Sequence, residues 1–436
     1  MSKTGTVAGR GLRSAAPMIA AVLSLAAAFA PAAHADTFVV DDPVDAPDAK
    51  TGDHHCITAA ATCTLRAAIQ EANASSGADA VILPAGNFRL TIAPATEAGS
   101  VPDSDASQGD LDITDTLTIR GAGTRKTTVD GGGLDRVFSS DTGVTSVFSD
   151  MTITGGDATG GGTSQEIGMG GGIWNKGTMT IERLRLVGNH ADGGGAVFSI
   201  PGTYITIRDT LLAHNSAVEG GAIRFDSGGE LVDSTVTDNV LKTVPKAALL
   251  PDELSGYGGG IDHRGGDDLT IINSTITGNH ALKGGGGLNS AEGYAPLATQ
   301  TDLGRVRLRN TIIANNTSDA GPANCHTAAM IIESTGHNLD TDGSCSLTTA
   351  TDLPKRDPML APLADNGGPT ETLALLAGSP AIDAAGSICS PRDQRGVARR
   401  GACDIGAFEY VPPAAVKHKP KHHAKPKKKK KHKRPR

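Results

Sequence analysis

Five segments of this chain can be laid over one another: "MTIERLRLVGNHA" (179–191), "ITIRDTLLAHNSA" (205–217), "GELVDSTVTDNV" (229–240), "LTIINSTITGNHA" (269–281) and "VRLRNTIIANNTS" (306–318). Each alternates apolar and polar residues and ends at an asparagine: Asn189, Asn215, Asn239, Asn279 and Asn315. Before most of them stands a glycine cluster with a short apolar run: "GGGIW" (170–174), "GGGAVF" (193–198), "GGAIRF" (220–225), "GGGID" (258–262) and "GGGGL" (284–288). The asparagines lie 26, 24, 40 and 36 residues apart, a unit of about 24 with two insertions. A fixed period in this range is the signature of a solenoid. Period-two alternation, abundant β-branched residues and no 3.6-residue periodicity make its coils from short strands, not helices. One unit cannot bury its own apolar face, so the coils must stack aliphatic on aliphatic.

The punctuation fits such a stack. Asparagine tolerates left-handed backbone, bonds its own turn, and can bond an identical amide in the next coil. Glycine serves corners where a Cβ has no room. With 56 glycines and only 13 aromatic residues, the composition suits tight turns and aliphatic ladders. We therefore expect an all-β fold: a single-stranded right-handed parallel β-helix, a pectate-lyase-like solenoid, with an N-terminal capping helix. "LTIRGAG" (117–123) and "MTITGGD" (151–157) read as earlier coils with glycine in place of asparagine. The insertions "LKTVPKAALLPDELSGYG" (241–258) and "NSAEGYAPLATQTDLG" (289–304) fall at the same phase of the coil and are expected on one side. They are either neutral loop drift or a binding surface.

Solenoid ends need covers. In "CTLRAAIQEANASSG" (63–77), Leu65, Ala68, Ile69 and Ala72 fall at i, i+3, i+4 and i+7, with Thr64 placed to cap the start and Asn73 through Gly77 the end. A helix here would seal the first coil, flanked by "TFVV" (37–40) and "AVILPAG" (80–86). Six cysteines form three close pairs, Cys56 with Cys63, Cys325 with Cys345, and Cys389 with Cys403. Six allow 15 pairings, and local pairing is expected because the pairs occupy three separate segments. No Cys-x-x-Cys spacing points to zinc or redox chemistry.

The two termini bear on compartment. Lys3, Arg10 and Arg13, then "MIAAVLSLAAAFA" (18–30), then "AHA" (33–35), follow the order of a secretory leader cleaved after Ala35, as against a buried N-terminal helix. An exported chain favours disulfides. The last 26 residues, 411–436, hold twelve Lys and Arg and no acid, and the leader holds three more basic residues. A formal −7 for the whole chain therefore leaves the 36–410 body at −22. Proline and dense like charge keep such a tail extended. Export and the absence of any aromatic residue after Tyr410 disfavour nucleic acid as its partner. Anionic cell-wall polymers or a membrane surface fit better, with a solvated end lacking any partner as the bland alternative. His418, His422, His423 and His432 are too irregularly spaced to argue for metal.

Several stretches resemble known bacterial families. "CTLRAAIQEANA" is similar to the Cys-Ser-Leu-Arg-Glu-Ala-Ile motif that opens many exported β-helix proteins, with Thr64 and Ala67 in place of its Ser and Glu. "VILPAGNFRLTI" (81–92) and "GDLDITDTLTIRGAG" (109–123) match the same group. "SPAID", "DQRGV" and "GACDIGAFE", in order within 363–410, resemble the C-terminal region of choice-of-anchor Q proteins. The glycine-apolar repeats are loosely similar to chlamydial polymorphic outer-membrane proteins. These resemblances imply a surface or secreted β-helix followed by an anchoring device, and no catalytic residues. The expected organisation is a leader at 1–35, a strand and capping-helix region at 36–92, repeats at 93–320, a choice-of-anchor-Q-like region at 321–410, and a basic tail at 411–436.

The densest candidate for chemistry is "GGIDHRGGDDLT" (259–270), with Asp262, His263, Arg264, Asp267 and Asp268. Adjacent Asp267 and Asp268 are similar to the paired aspartates of polygalacturonase-type hydrolases, but no Asn-Thr-Asp precedes them and no Gly-His-Gly or Arg-Ile-Lys follows. The bland alternative is a polar turn between coils. A second acidic cluster, Asp383, Asp393, Asp404 and Glu409, stands beside Arg392, Arg395, Arg399 and Arg400 and reads as salt bridges in a small disulfide-stapled cap. No Asp-x-Asp-x-Asp-Gly loop supports calcium, and no cofactor is expected. Two readings of function stand. One is a secreted or cell-surface protein with a structural, adhesive or glycan-binding role, held at the envelope by its tail. The other is a polysaccharide lyase or glycoside hydrolase, which would need convergent carboxylates or basic residues in a cleft.

Overall fold

The structure is a computed structural model that describes residues 35–94, 105–159, 168–243, 255–291, 304–328 and 332–412. Leader residues 1–34, tail residues 413–436 and the middles of both insertions lie outside the described residues.

Strands that alternate apolar with polar residues wind into a right-handed parallel β-helix. Its first sheet holds ten strands, from Thr37–Val39 through Tyr204–Arg208 to Ile332–Ser334. The second also holds ten, from Gly86–Arg89 to Leu353–Pro354, and the third eight, from Leu111–Ile113 to Cys325–Ala328. A short fourth sheet of two-residue strands, such as His190–Ala191 and Ser216–Ala217, fills the corner between the second and third. In register, Phe38, Val81, Ile119, Phe148, Ile181, Ile207, Leu231, Ile271 and Leu308 stack up the inside of the first sheet. All are buried, and burying each such side chain contributes about 1.5–3 kcal/mol. Deleting one residue within a strand would turn its apolar set outward and break the stack there.

An amide ladder runs beside this core. The side chain of Asn189 donates to Asn215 (3.2 Å), Asn215 to Asn239 (3.0 Å), Asn239 to Asn279 (2.9 Å), and Asn279 to Asn316 (2.9 Å). Asn316 then donates to Asn324 (3.0 Å) and Asn324 to the carboxylate of Asp340 (2.7 Å), which terminates the ladder. Its last repeat member is thus Asn316, not Asn315. The strand Ile312–Ala314 pairs with Thr275–Thr277, so Asn315 aligns with Gly278 and only Asn316 with Asn279. Asn315 is exposed at φ 56° and takes the left-handed position held by Gly188, His214, Asp238 and Gly278 in the other coils. Gly156 stands at the ladder position one coil earlier and donates its N–H to the Asn189 side chain (3.1 Å). A Cβ on Gly156 would lie 1.8 Å from the Gly171 carbonyl oxygen, so no asparagine fits there.

The helix α1 spans Leu65–Ala74, with the Thr64 side chain accepting from the Ala67 N–H. Leu65, Ala68, Ile69 and Ala72 are buried in the core, so α1 closes the first coil as its spacing predicts. Arg66 is fully buried too. It holds Asp45 (2.6 Å) and donates to the carbonyls of Ala106 and Gly109, which ties α1 to the chain entering the third sheet.

Two expectations change. Parallel pairing continues past 320 to Leu353–Pro354, because Cys325–Ala328, Ile332–Ser334 and Leu339–Asp340 extend the same sheets. The chain from 355 to 412 is then an arm laid along the corner between the first and second sheets. Asp365 pairs with Arg125 (2.9 Å), Glu371 with Arg185 (2.8 Å) and Arg399 with Asp233 (3.0 Å), while Gly406 donates to the Asn310 carbonyl (2.8 Å). The insertions also leave from different corners. The first falls between Val240–Leu241 and Ile261–His263, before a third-sheet strand; the second falls between Leu288–Ala291 and Val306–Arg309, after one. Disulfides join Cys56 to Cys63, Cys325 to Cys345 and Cys389 to Cys403.

Candidate functional site

In each third-sheet strand the first residue points into the core, so the next must point out. The outward row reads Asp112, Ser139, Trp174, Phe198, Arg224, Asp262, Asn289 and His326 in successive coils. On the first sheet the outward row, through Thr180, Thr206, Glu230 and Thr270, is only half-buried. Trp174, Phe198, Arg224, Asp262 and Asn289 are buried instead. Residues 95–104, 160–167 and 244–254 each precede a third-sheet strand, and 292–303 follow one.

Cations lie against the rings of the row. The Trp174 ring has the Arg136 guanidinium 4.7 Å and the Lys176 ammonium 4.4 Å from its centroid. Arg224 lies 5.3 Å from the Phe198 centroid, and Tyr257 stacks on His326 at 4.2 Å. Between them sits a buried charge cluster. Arg224 pairs with Glu219 (2.5 Å) and Asp226 (2.9 Å), and Arg264 with Asp262 (2.8 Å) and Glu219 (3.5 Å). Asn289 donates to Asp262 (2.7 Å) and stands 2.8 Å from the His326 ring nitrogen Nδ1. Three carboxylates thus face two guanidiniums. Burial pushes the Glu219 pKa up, with the Asp262 and Asp226 carboxylates adding to it against the pull of Arg224 and Arg264. A proton on Glu219 leaves the cluster neutral.

The residues singled out in 259–270 do not converge. Asp262 points outward and is sealed at 0% exposure between Arg264 and Asn289. His263 points inward, and burial pushes its pKa down. Its Nε2 lies 3.0 Å from the Asp267 carbonyl oxygen, so a neutral ring donates there. Asp268 lies past the next corner, paired with Arg307 and accepting the Arg305 N–H (2.8 Å). Against partial burial, those two arginines hold its pKa below the usual carboxylate range. Of the adjacent aspartates, Asp267 is exposed and offers its carbonyl to His263, while Asp268 is held in an edge salt bridge with Arg307. No group of three or more His, Cys, Asp or Glu is placed to hold a metal among the described residues.

The C-terminal acids sit within the arm. Arg395 binds Asp393 (2.6 Å), Arg399 spans Glu409 (3.4 Å) and Asp233, and Asp404 accepts the Asp383 N–H (2.7 Å). Burial, with the nearby Glu409 and Asp383 carboxylates, raises the Asp404 pKa to about 6 against the N–H donors of Asp383 and Tyr410.

Sequence reasoning missed Arg136, Trp174, Glu219 and Arg224. The signal existed: within the glycine-apolar motifs, the residue after the core-facing aliphatic is Trp174, Phe198, Arg224, Asp262 and Asn289, the one chemically varied column in an otherwise uniform repeat.

No family model and no curated protein matches this chain. Among solved structures, the pectate lyase Pel9A is similar over 86% of this chain and 96% of its own, at 14% sequence identity and a TM-score of 0.39.

Proposed function

We propose that this chain is a secreted or cell-surface β-helix that acts as a rigid, non-catalytic rod with a structural or adhesive role, held at the envelope by its basic tail. The observation that carries this reading is the fate of its acids. Asp262 and Glu219 on the repeats are each engaged by arginine in a buried cluster, leaving neither as an open base. Ten stacked strands at ~4.8 Å spacing give a stack of about 43 Å, enough to hold a surface away from the envelope. Three disulfides suit an oxidising exterior. The resemblance of 363–410 to choice-of-anchor Q proteins implies an anchoring device after that region, and the twelve-cation tail is the segment we propose for it. Attachment by that tail must weaken with salt. Roughly 1 M salt should strip the intact protein from cells, and a form ending at Pro412 should not bind. Equal retention of both forms in high salt refutes the tether.

Glycan binding is the second reading, favoured by one observation: among the described residues, Trp174 and Phe198 stand next to one another on the outside of the third sheet, each with a cation against its ring. A panel of acidic and neutral polysaccharides in affinity electrophoresis would test it, with Arg136→Ala and Lys176→Ala expected to lose any retardation of the band.

A further inference from the structure

We propose that the first coil holds a seat for a newly made α-ammonium, so that cleavage after Ala35 locks the N-terminal edge of the solenoid; this rests on reading the chain as exported. Thr37–Val39 is the edge strand of the first sheet, paired in parallel with Ala80–Ile82. Immediately before it, the Asp36 backbone N–H donates to Asp79 Oδ1 at 2.7 Å, and the Asp36 carbonyl accepts from Ala80 N–H at 2.9 Å. Asp79 is 1% exposed, and its second oxygen, Oδ2, has no hydrogen-bond partner among the described residues. A buried carboxylate oxygen left unmatched is costly. Ala35, one residue upstream, is exposed, so the bond to be cut lies at the surface while its nitrogen points at a buried acid.

Charge around the seat is one-sided. Asp36 itself and Asp115 ahead of Leu117–Arg120 face Asp79, while Glu71 on α1 faces His54, the imidazole beside them. His54 is already engaged by the Asp36 carboxylate (2.8 Å) and lies 3.2 Å from Ser75 Oγ. Burial, with the Asp36 and Asp115 carboxylates, holds the Asp79 pKa up despite the Asp36 N–H. Hydrolysis by a signal peptidase adds water across the Ala35–Asp36 bond. Ala35 leaves as a carboxylate, and the Asp36 nitrogen takes up protons to become an ammonium. One neutral donor becomes three donors carrying a positive charge, which satisfies Oδ2 and balances the acids. The peptide-bonded precursor cannot do this, so the edge strand is held more tightly in the mature chain.

The sign of the pH dependence follows. Pairing raises the folded-state amine pKa above its ordinary ~7.7–8.0, so the added protection is present below that range and disappears as pH rises through the raised value. On the acid side it disappears as Asp79 takes a proton.

Three full-length chains test the idea: one beginning at Asp36 with a free amine, the same chain Nα-acetylated, and one beginning at His34. The free-amine chain should show an α-amine pKa at least ~1 unit above the ordinary range by pH-dependent amine labelling. Exchange of the Phe38 and Val40 amides should be about tenfold slower than in the other two, the effect of one such pairing. Asp79→Asn should return the amine to its ordinary range and abolish the tenfold difference. If that variant does not fold, the acetylated and free chains with Asp79 intact still decide. An ordinary amine pKa with equal exchange in all three overturns the seat. N-terminal sequencing of the secreted protein separates this from the export reading. A start at Asp36 supports the cleavage, and any other start refutes it whatever the three chains show.

Discussion

Two flanks of the solenoid hide charge, and they do it differently. On the third-sheet face, Glu219, Asp226 and Asp262 are answered by Arg224 and Arg264, all within neighbouring coils. On the corner between the first two sheets, the left-handed residues Asp150, Arg183, Asp209, Asp233, Asn273 and Asn310, at φ 44–59°, form a column of short polar side chains broken by one arginine. That column is answered from far away in sequence, by Arg399, Ser390 and the Asn310 contacts of the C-terminal arm. The first cluster is built by the repeat register alone. The second is complete only once a non-repetitive segment has docked. Asp209 shows the consequence: burial first, then the Asp233 carboxylate, raises its pKa to about 7 against Arg183.

The comparison can be broken most sharply at Arg264. Arg264→Ala leaves Asp262 at 0% exposure without its cation and removes a partner of Glu219. It should cost about 3–5 kcal/mol in denaturant unfolding. A cost below about 1 kcal/mol would mean the cluster is not load-sharing across coils. At the arm corner, Asp209→Asn should act in the opposite direction. A carboxyl with a raised folded-state pKa favours the folded state only while protonated. Its contribution is full below about pH 4 and fades as pH rises through about 7. The variant should therefore match the parent near pH 4 and be more stable above pH 7, by about 1–2 kcal/mol after allowing for partial exposure. Thermal unfolding at both pH values checks it; a parent that gains stability with rising pH contradicts it. Asp268→Ala, which removes an exposed pair with Arg307, should change stability by less than about 1 kcal/mol.

The same contrast explains what could be read from the sequence. The period of about 24, the closing helix Leu65–Ala74 and the amide ladder were legible because each coil repeats one physical problem. Asn315 misled because two asparagines adjoin there, and only strand pairing decides which meets Asn279. The docking of the arm left no periodic trace, since residues 355–412 meet each coil with different chemistry. Asp267 and Asp268 read as a pair in one dimension, and what the sequence did not show is that Asp268 is engaged by Arg305 and Arg307 from the next coil while Asp262 lies across the corner between the third and first sheets. The insertions likewise shared a spacing in the sequence but not a corner in the fold.

The most direct test of the non-catalytic reading is turnover. The purified 36–436 chain should be incubated with a panel of polyuronides and neutral glycans while unsaturated products and reducing ends are followed. No product is expected from the parent and none from Asp262→Asn or from Asp267→Ala with Asp268→Ala. Product formed by the parent and lost in either variant would contradict it and make this β-helix an enzyme.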